Sequence, residues 1–89
     1  MIREPVTLVN RLGLHARAAS RLVRTAAEFE STIWLERDRR RVNAKSIMGI
    51  LMLAAPVGTE LVIECEGPDE EAAMEALKSL VADRFGEAE

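Results

Sequence analysis

Apolar and polar residues alternate in several short stretches of this chain, and such alternation predicts strands with one buried and one wet face. The first stretch covers residues 2–8, where Pro5 favours a sheet edge or the start of a strand. The last covers residues 59–67, in which glutamates form the wet face and the apolar face consists of Leu61, Ile63 and Cys65. Both stretches predict strands of an antiparallel sheet.

A β-hairpin is predicted between these two strands, in residues 31–44. Ile33 and Leu35 fall on one side of its first strand, a polar turn lies around Asp38, and a second short strand reaches Val42. The turn contains no glycine, which the tightest hairpin types favour. The pattern therefore predicts the hairpin but leaves its turn type open.

Three segments have the apolar spacing of helices. The first covers residues 16–28, with an apolar face of Ala19, Leu22, Val23 and Ala26. The second follows Ser46, where the run IMGILMLAA is apolar throughout but too short to span a membrane. The third follows residues 68–71, which supply helix-start chemistry. Its apolar stripe consists of Ala73, Met74, Leu77, Leu80 and Val81.

The resulting order, βαββαβα, predicts an α+β fold, a two-layer sandwich in which helices cover one face of an antiparallel sheet. Eighty-nine residues support one core, so we expect residues 1–89 to form a single domain.

The single cysteine excludes an internal disulfide framework. The first ten residues carry charges and a proline where a signal peptide needs an apolar run, which predicts a cytoplasmic protein.

His15 is the only histidine of the chain, and it lies directly before the first predicted helix. The positive end of the helix dipole disfavours an imidazolium and provides N–H donors for an anion attached to the ring. Arg17 could bind phosphate oxygens, and Gly13 permits backbone angles that other residues avoid. Together they suit a nucleophilic histidine that accepts and releases a phosphoryl group. On chemistry alone, a histidine near a helix cap beside a surface arginine is the simpler alternative.

Ser46 lies directly before the second predicted helix, and serine is a preferred N-cap. Capping alone explains this serine, but a phosphate there would favour the helix and add charge beside an apolar face. If Ile50, Leu53 and Ala54 point into the core, other apolar residues of the helix lie on the opposite side. These residues, a candidate protein interface, are Ile47, Met48 and Leu51.

Several function classes are disfavoured by composition. A net charge of −3 gives no global attraction to nucleic acid or anionic lipid. The basic cluster at residues 37–41 has only Trp34 as a large aromatic neighbour, so a solvated hairpin tip explains it better than a nucleic-acid site. One histidine and one distant cysteine provide no metal-ligand set, and no glycine-rich phosphate loop occurs. We therefore expect no metal, cofactor, nucleic-acid partner or membrane insertion.

Two segments, GLHARAA at 13–19 and VNAKSIMGIL at 42–51, resemble motifs of one known family. The first resembles the phosphohistidine motif of the HPr family, approximately G-[LIM]-H-[AT]-R-P-[AS], and the second resembles its segment around a regulatory serine. HPr proteins are histidine-containing phosphocarriers of the phosphoenolpyruvate-dependent phosphotransferase system. The resemblance covers the whole chain and implies an open-faced sandwich with strand order 1-4-2-3 and three helices on one side.

The resemblance also implies roles for individual residues. His15 would be phosphorylated by enzyme I, Arg17 would assist transfer, and Ser46 would be the site of HPr kinase/phosphorylase in organisms that have it. The chain would be a monomeric carrier with a covalent phosphohistidine intermediate, in sugar import or a regulatory branch, rather than a stand-alone enzyme. Its docking surface for enzyme I and EIIA-type acceptors would consist of Arg24, Ile47, Met48 and Leu51.

One position departs from the family motif, because Ala18 stands where proline is usual. Proline at a helix start fixes φ near roughly −65°, so we expect Ala18 to loosen the turn after the motif arginine. Two other functions are compatible with the residues. One is a non-phosphorylated regulatory module that binds a partner through the Ile47, Met48 and Leu51 face. The other is a small nucleic-acid binder that uses residues 37–41.

Overall fold

The predicted order of elements is confirmed by the computed structural model, which describes all 89 residues. Four strands form one antiparallel sheet in the order β1-β4-β2-β3, which confirms the α+β class and the strand order. No helix has the length and apolar character needed to cross a membrane. The elements are β1 (Ile2–Thr7), α1 (Ala16–Ala27), β2 (Thr32–Arg37), β3 (Arg40–Asn43), α2 (Ile47–Met52), β4 (Glu60–Glu66) and α3 (Glu70–Ala82), followed by a 3-10 turn at Arg84–Gly86.

One cluster of 20 buried residues fills the space between the sheet and the three helices. The predicted inner faces of the strands are confirmed, with Ile33 and Leu35 of β2 packed beside three buried residues of β4, Leu61, Ile63 and Cys65. In α1 the spacing of apolar residues places Ala19, Leu22 and Ala26 in the core, whereas Val23 is half-buried at its rim. Burial of each large aliphatic side chain stabilises the fold by about 1.5–3 kcal/mol.

Glu64 does not have the wet environment that the alternation in β4 predicts, since only 8% of it is exposed. Two arginines cover it, one from β1 and one from β3, with Arg3 Nη1 3.1 Å from one carboxylate oxygen and Arg41 Nη2 2.6 Å from the other. Arg3 also pairs with Glu36 at 2.9 Å, and the Arg41 guanidinium lies 4.6 Å from the centre of the Trp34 ring. Cross-strand ion pairs therefore cover part of the open sheet face.

The hairpin turn consists of Asp38 and Arg39, whose φ angles of 48° and 70° are both positive. Two positive φ angles are the pattern of a type I′ turn, which matches the twist of the strands and forms here without glycine. The flanking Arg37 and Arg40 donate hydrogen bonds of 2.7–2.9 Å to carbonyls at the end of α2. These acceptors belong to Met52, Leu53 and Ala54. Two arginines of the basic cluster thus stabilise a helix end.

Helix α2 is shorter than the apolar run that predicts it. It ends at Met52, and Ala54 has a φ of 48° and is exposed, so the prediction that Ala54 faces the core is wrong. Ile50 and Leu53 are buried as predicted. Half of Leu51 is covered, because the side chain packs against the core. Leu51 therefore contributes little to an exposed face of α2.

Candidate functional site

His15 is the N-cap residue of α1, with extended backbone angles of φ −76° and ψ 178°. Its carbonyl oxygen accepts the first intrahelical hydrogen bond, from Ala19 N at 2.9 Å, but its ring makes no capping bond to the helix. The N–H groups of the first turn therefore have no side-chain cap from His15. The backbone of His15 is fixed at the helix start. Its side chain is 28% exposed, so the ring can be reached from solvent.

The loop before α1 holds His15 in place through a close backbone contact. Leu14 N donates to Ala55 O at 2.9 Å, and Gly13 has a φ of 64°. A Cβ atom at residue 13 would lie 2.4 Å from Ala55 O and 2.9 Å from Pro56. Gly13 has the kind of backbone angle that other residues avoid, and both this angle and the available space exclude a side chain at residue 13.

Arg17 is exposed two residues after His15, and its guanidinium forms neither an ion pair nor a side-chain hydrogen bond. It lines the same groove as His15, together with Arg11, Leu12 and residues 87–89. A free guanidinium beside a helix N-terminus provides charge-assisted donors for an incoming anion. The structure thus brings together the two residues to which the sequence assigns phosphate chemistry.

Glu87 also belongs to this groove, and the sequence analysis missed it. Its Oε2 is in hydrogen-bond contact with His15 Nε2, and its Oε1 accepts from Asn10 Nδ2 at 3.1 Å. Burial opposes ionisation of this carboxyl group, but the hydrogen bonds from Asn10 and His15 outweigh it and lower the pKa of Glu87. Asn10 and Glu87 are 77 positions apart. No local pattern links residues so far apart in sequence, so periodicity and motifs could not have found the contact.

Ser46 is exposed and is the N-cap of α2, as predicted. Its Oγ accepts a hydrogen bond from Gly49 N at 3.3 Å. A Cβ atom at Gly49 would lie 3.2 Å from Val42 Cβ, so the glycine allows α2 to approach β3 closely. The structural role of Ser46 is therefore capping, and Ser46 does not line the His15 groove.

The candidate docking residues differ in how far they are exposed to solvent. Met48 is 67% exposed and Ile47 39% exposed, whereas Leu51 is half-buried. Arg24 is exposed on α1, with its guanidinium 3.4 Å from Ser20 Oγ. Large exposed apolar residues outside the predicted interface are Met1, Val9, Leu12, Met52 and Val57. Four of these five lie outside helices and strands, where periodicity gives no signal, and Met52 is in α2.

Cys65 is the only other soft nucleophile of the chain, and it is unsuited to surface chemistry. It is fully buried in β4, and burial raises the pKa of its thiol to about 11. No group of three or more His, Cys, Asp or Glu residues could hold a metal ion. The groups in this groove that could take part in chemistry are the His15 ring, the Arg17 guanidinium and the Glu87 carboxylate.

Comparisons with known proteins agree on one family. The family model described as the PTS HPr component phosphorylation site matches residues 2–83. Phosphocarrier protein HPr of Cupriavidus necator is 49% identical over 89 residues, which is all of both chains. The crystal structure of HPr-C-His from Thermoanaerobacter tengcongensis has a TM-score of 0.96 at 45% identity and full coverage of both chains. A crystal structure of an HPr dimer from the same organism has a TM-score of 0.79 at 46% identity, covering 98% of this chain and 100% of that one.

Proposed function

The chain belongs to the HPr family and is a phosphocarrier of the phosphotransferase system, and we propose that it carries the phosphoryl group on His15. The observation that carries this proposal is the geometry of α1, which begins at the only histidine of the chain. The ring makes no capping bond to its helix and stands beside an unpaired arginine. A ring held in this way is free to act as a nucleophile.

The proposed reaction is a two-step phosphoryl relay. A ring nitrogen of neutral His15 attacks the phosphorus of phosphohistidine on enzyme I, and the electron pair of the breaking N–P bond returns to the nitrogen of enzyme I. In the second step a histidine of an EIIA-type protein attacks the phosphorus, and the electron pair returns to His15. Arg17 and the first-turn N–H groups of α1 orient the group and stabilise its charge during both steps. No cofactor is needed.

The proposed docking surface for enzyme I and EIIA-type proteins combines the exposed apolar residues of α2 with Arg24. Met48 and Ile47 expose apolar area that a partner would bury, and the exposed Arg24 favours an acidic partner. Leu12, which is 64% exposed, adds apolar area within the His15 groove itself. An apolar patch beside the reactive ring would hold the two phosphoryl-transfer groups in line.

A monomeric state and a cytoplasmic location are parts of the proposal. The sheet has two edge strands, and both carry features that discourage pairing with a second copy. Pro5 lies on β1, and Arg40 and Arg41 lie on β3. Because a relative from Thermoanaerobacter tengcongensis crystallised as an HPr dimer, sedimentation over a wide concentration range is the appropriate test of the monomeric state.

The proposed cytoplasmic location is supported by the free buried thiol of Cys65, which suits a reducing compartment.

The assignment of His15 is tested by phosphorylation with enzyme I and phosphoenolpyruvate. We expect one acid-labile phosphate on the natural chain and none on His15→Ala. A His15→Ala protein that is still labelled would contradict the proposal. Met48→Ala is the matched control, because it removes exposed apolar area and leaves the ring intact. It should be labelled to completion but at a lower rate.

Ser46 is proposed as a regulatory phosphorylation site, supported by its exposure and its place beside Ile47 and Met48. A phosphate there would add about −1.5 to −2 charges at the N-terminus of α2, next to the proposed docking surface. With ATP and HPr kinase/phosphorylase we expect an acid-stable phosphate that is absent from Ser46→Ala. Persistence of that phosphate in Ser46→Ala would place the site elsewhere, and His15→Ala should be phosphorylated normally in the same assay.

A further inference from the structure

Residues 84–89, here called the C-terminal strap, fold back across the start of α1. Phe85 is fully buried, and its carbonyl oxygen accepts a hydrogen bond from the Arg21 guanidinium. At the other end, Arg11 N donates to Glu89 O at 2.5 Å, and Arg11 Nη1 lies 2.7 Å from the Glu89 carboxylate. The strap is thus fixed on both sides of Glu87, so the position of that carboxylate follows from the fold.

Asn10 ties Glu87 to the loop that carries His15. The Asn10 side chain is fully buried, and its Nδ2 donates both to Gly13 O at 2.8 Å and to Glu87 Oε1 at 3.1 Å. Only 14% of the Glu87 side chain is exposed, and its second oxygen contacts His15 Nε2. The carboxylate, the amide and the ring therefore form one connected network under the groove.

The protonation of this network determines which ring nitrogen is the nucleophile. The lowered pKa of Glu87 keeps the carboxyl group ionised near neutral pH, and an ionised carboxylate can only accept hydrogen bonds. His15 Nε2 must then carry the hydrogen of the contact. Since a neutral imidazole has one N–H, its lone pair is on Nδ1, which the carboxylate does not touch.

We propose that Glu87 is a positioning residue for phosphoryl transfer, which holds the proton of His15 on Nε2 throughout the relay. This inference rests on the proposed role of His15 as phosphoryl acceptor. Such a carboxylate–histidine pair fixes both the tautomer and the orientation of a ring. The proposal gives the C-terminal strap a role in the reaction.

The proposed step balances without any proton movement. The Nδ1 lone pair forms the new N–P bond while the N–P bond of the donor breaks, and the donor nitrogen keeps that electron pair. The His15 ring then carries a positive charge, which the Glu87 carboxylate neutralises. On transfer to the acceptor, the electron pair returns to Nδ1. Because Nε2 has kept its proton, the ring leaves as neutral imidazole rather than as the much poorer leaving group imidazolate.

The first test is the ring tautomer of the unphosphorylated natural chain, measured by nitrogen-15 NMR in mildly alkaline buffer. We expect a proton on Nε2 and a bare Nδ1, and in Glu87→Gln a mixture of both tautomers. A natural chain with its proton on Nδ1 would overturn the inference. This measurement does not depend on phosphorylation or on the folding of any variant.

The second test is the rate of phosphoryl transfer from phosphorylated enzyme I. Glu87→Gln should lower kcat about 10- to 100-fold with little change in KM, and Glu87→Asp should restore part of the rate. Glu75→Gln removes the same charge from an exposed site on α3 and should react like the natural chain. A Glu87→Gln protein that reacts at the natural rate or faster would overturn the inference. A natural chain that takes no phosphate on His15 would instead contradict the proposed function.

Discussion

The helices α1 and α2 begin in opposite ways, although each begins at a residue that the sequence marks as chemically important. At α2, the Ser46 hydroxyl accepts the Gly49 N–H and closes the helix start. At α1, the His15 ring makes no bond to its own helix and turns to Glu87 instead. One N-cap residue stabilises its helix, whereas the other leaves its helix start available to an anion.

By our proposal, the same local feature serves structure at Ser46 and chemistry at His15. Ser46 needs only its hydroxyl for capping, so phosphorylation there would act through charge at a surface. The His15 site needs parts from both ends of the chain, namely the loop with Asn10 and Gly13 and the C-terminal strap with Glu87. We therefore expect substitutions around α1 to have larger effects than substitutions around α2.

The largest effect is expected when the loop before α1 is disrupted. Gly13→Ala places a Cβ atom 2.4 Å from Ala55 O at a positive φ, so it should lower the free energy of unfolding by about 3 kcal/mol or more. Gly58→Ala is the matched control, because its φ is 88° but no atom lies within 4 Å of its Cβ. It should cost only about 1–2 kcal/mol, the penalty for the backbone angle.

Urea unfolding of the two alanine variants separates the contact from the backbone angle. A Gly13→Ala protein as stable as Gly58→Ala would show that the approach of Gly13 to Ala55 is not what holds His15 in place.

The second largest effect is expected on the rate of phosphoryl transfer, when Arg17 at the start of α1 is replaced. Arg17→Ala should lower kcat for phosphoryl transfer by about 100-fold, because it removes donors that stabilise the transferring group. Arg17→Lys should recover part of this loss, since it keeps the charge but not the planar fork. Arg24→Ala, on the same helix, should raise KM and leave kcat nearly unchanged. Stopped-flow transfer assays measure both constants. Equal kcat losses in the two alanine variants would contradict separate roles for Arg17 in transfer and Arg24 in docking.

A smaller effect is expected at α2, where the cap is structural. Ser46→Ala should lower the free energy of unfolding by about 1 kcal/mol, whereas Ser46→Asn and Ser46→Asp should keep the cap and most of the stability. Of these two, only Ser46→Asp adds charge beside Met48, so only it should weaken binding to enzyme I. Calorimetry gives both quantities. Equal binding by Ser46→Asn and Ser46→Asp would exclude charge as the regulatory signal.

The start of α3 provides the smallest effect and a third kind of N-cap. The Asp69 carboxylate does not cap its own helix but accepts hydrogen bonds from Ser31 Oγ, Glu30 N and Ser31 N. The bond from the Ser31 hydroxyl, followed by those from the backbone, lowers the pKa of Asp69 below its ordinary value of 3.8.

A lowered pKa predicts stability that is fully present above the ordinary pKa of the carboxyl group. This stability is lost as the pH falls through the lowered pKa of the folded state. Asp69→Asn should therefore differ most from the natural chain near neutral pH and least in strong acid. Urea unfolding at a series of acidic pH values measures this, and a difference that is independent of pH would contradict the assignment.

Much of the fold could be predicted from the sequence, because its elements have local signals. Periodicity found the order of strands and helices, and the glycine at residue 13 and the histidine at residue 15 identified the start of α1. The family resemblance supplied the strand order. Local patterns did not find the contact of Glu87 with His15, since it joins residues 72 positions apart. They also missed the early end of α2, where arginines of the hairpin cap the helix carbonyls.

Glu64, on the sheet, is a second residue whose environment local sequence patterns could not predict. Alternation assigns a residue to a face but does not reveal which charges of neighbouring strands will cover it. Arg3 comes from β1, which is adjacent to β4, and Arg41 comes from β3, which lies beyond β2 on the other side. Their approach buries a glutamate that the pattern assigns to water. Local patterns thus predicted the elements, whereas the ion pairs and the strap depend on tertiary contacts.

The most direct test of the account is the position of the phosphate on the chain. Nitrogen-15-labelled protein, phosphorylated by enzyme I and phosphoenolpyruvate, can be examined by phosphorus and nitrogen NMR. The account predicts a single phosphoramidate, bonded to Nδ1 of His15, with a proton retained on Nε2. A phosphate on Nε2, or on any residue other than His15, would contradict it.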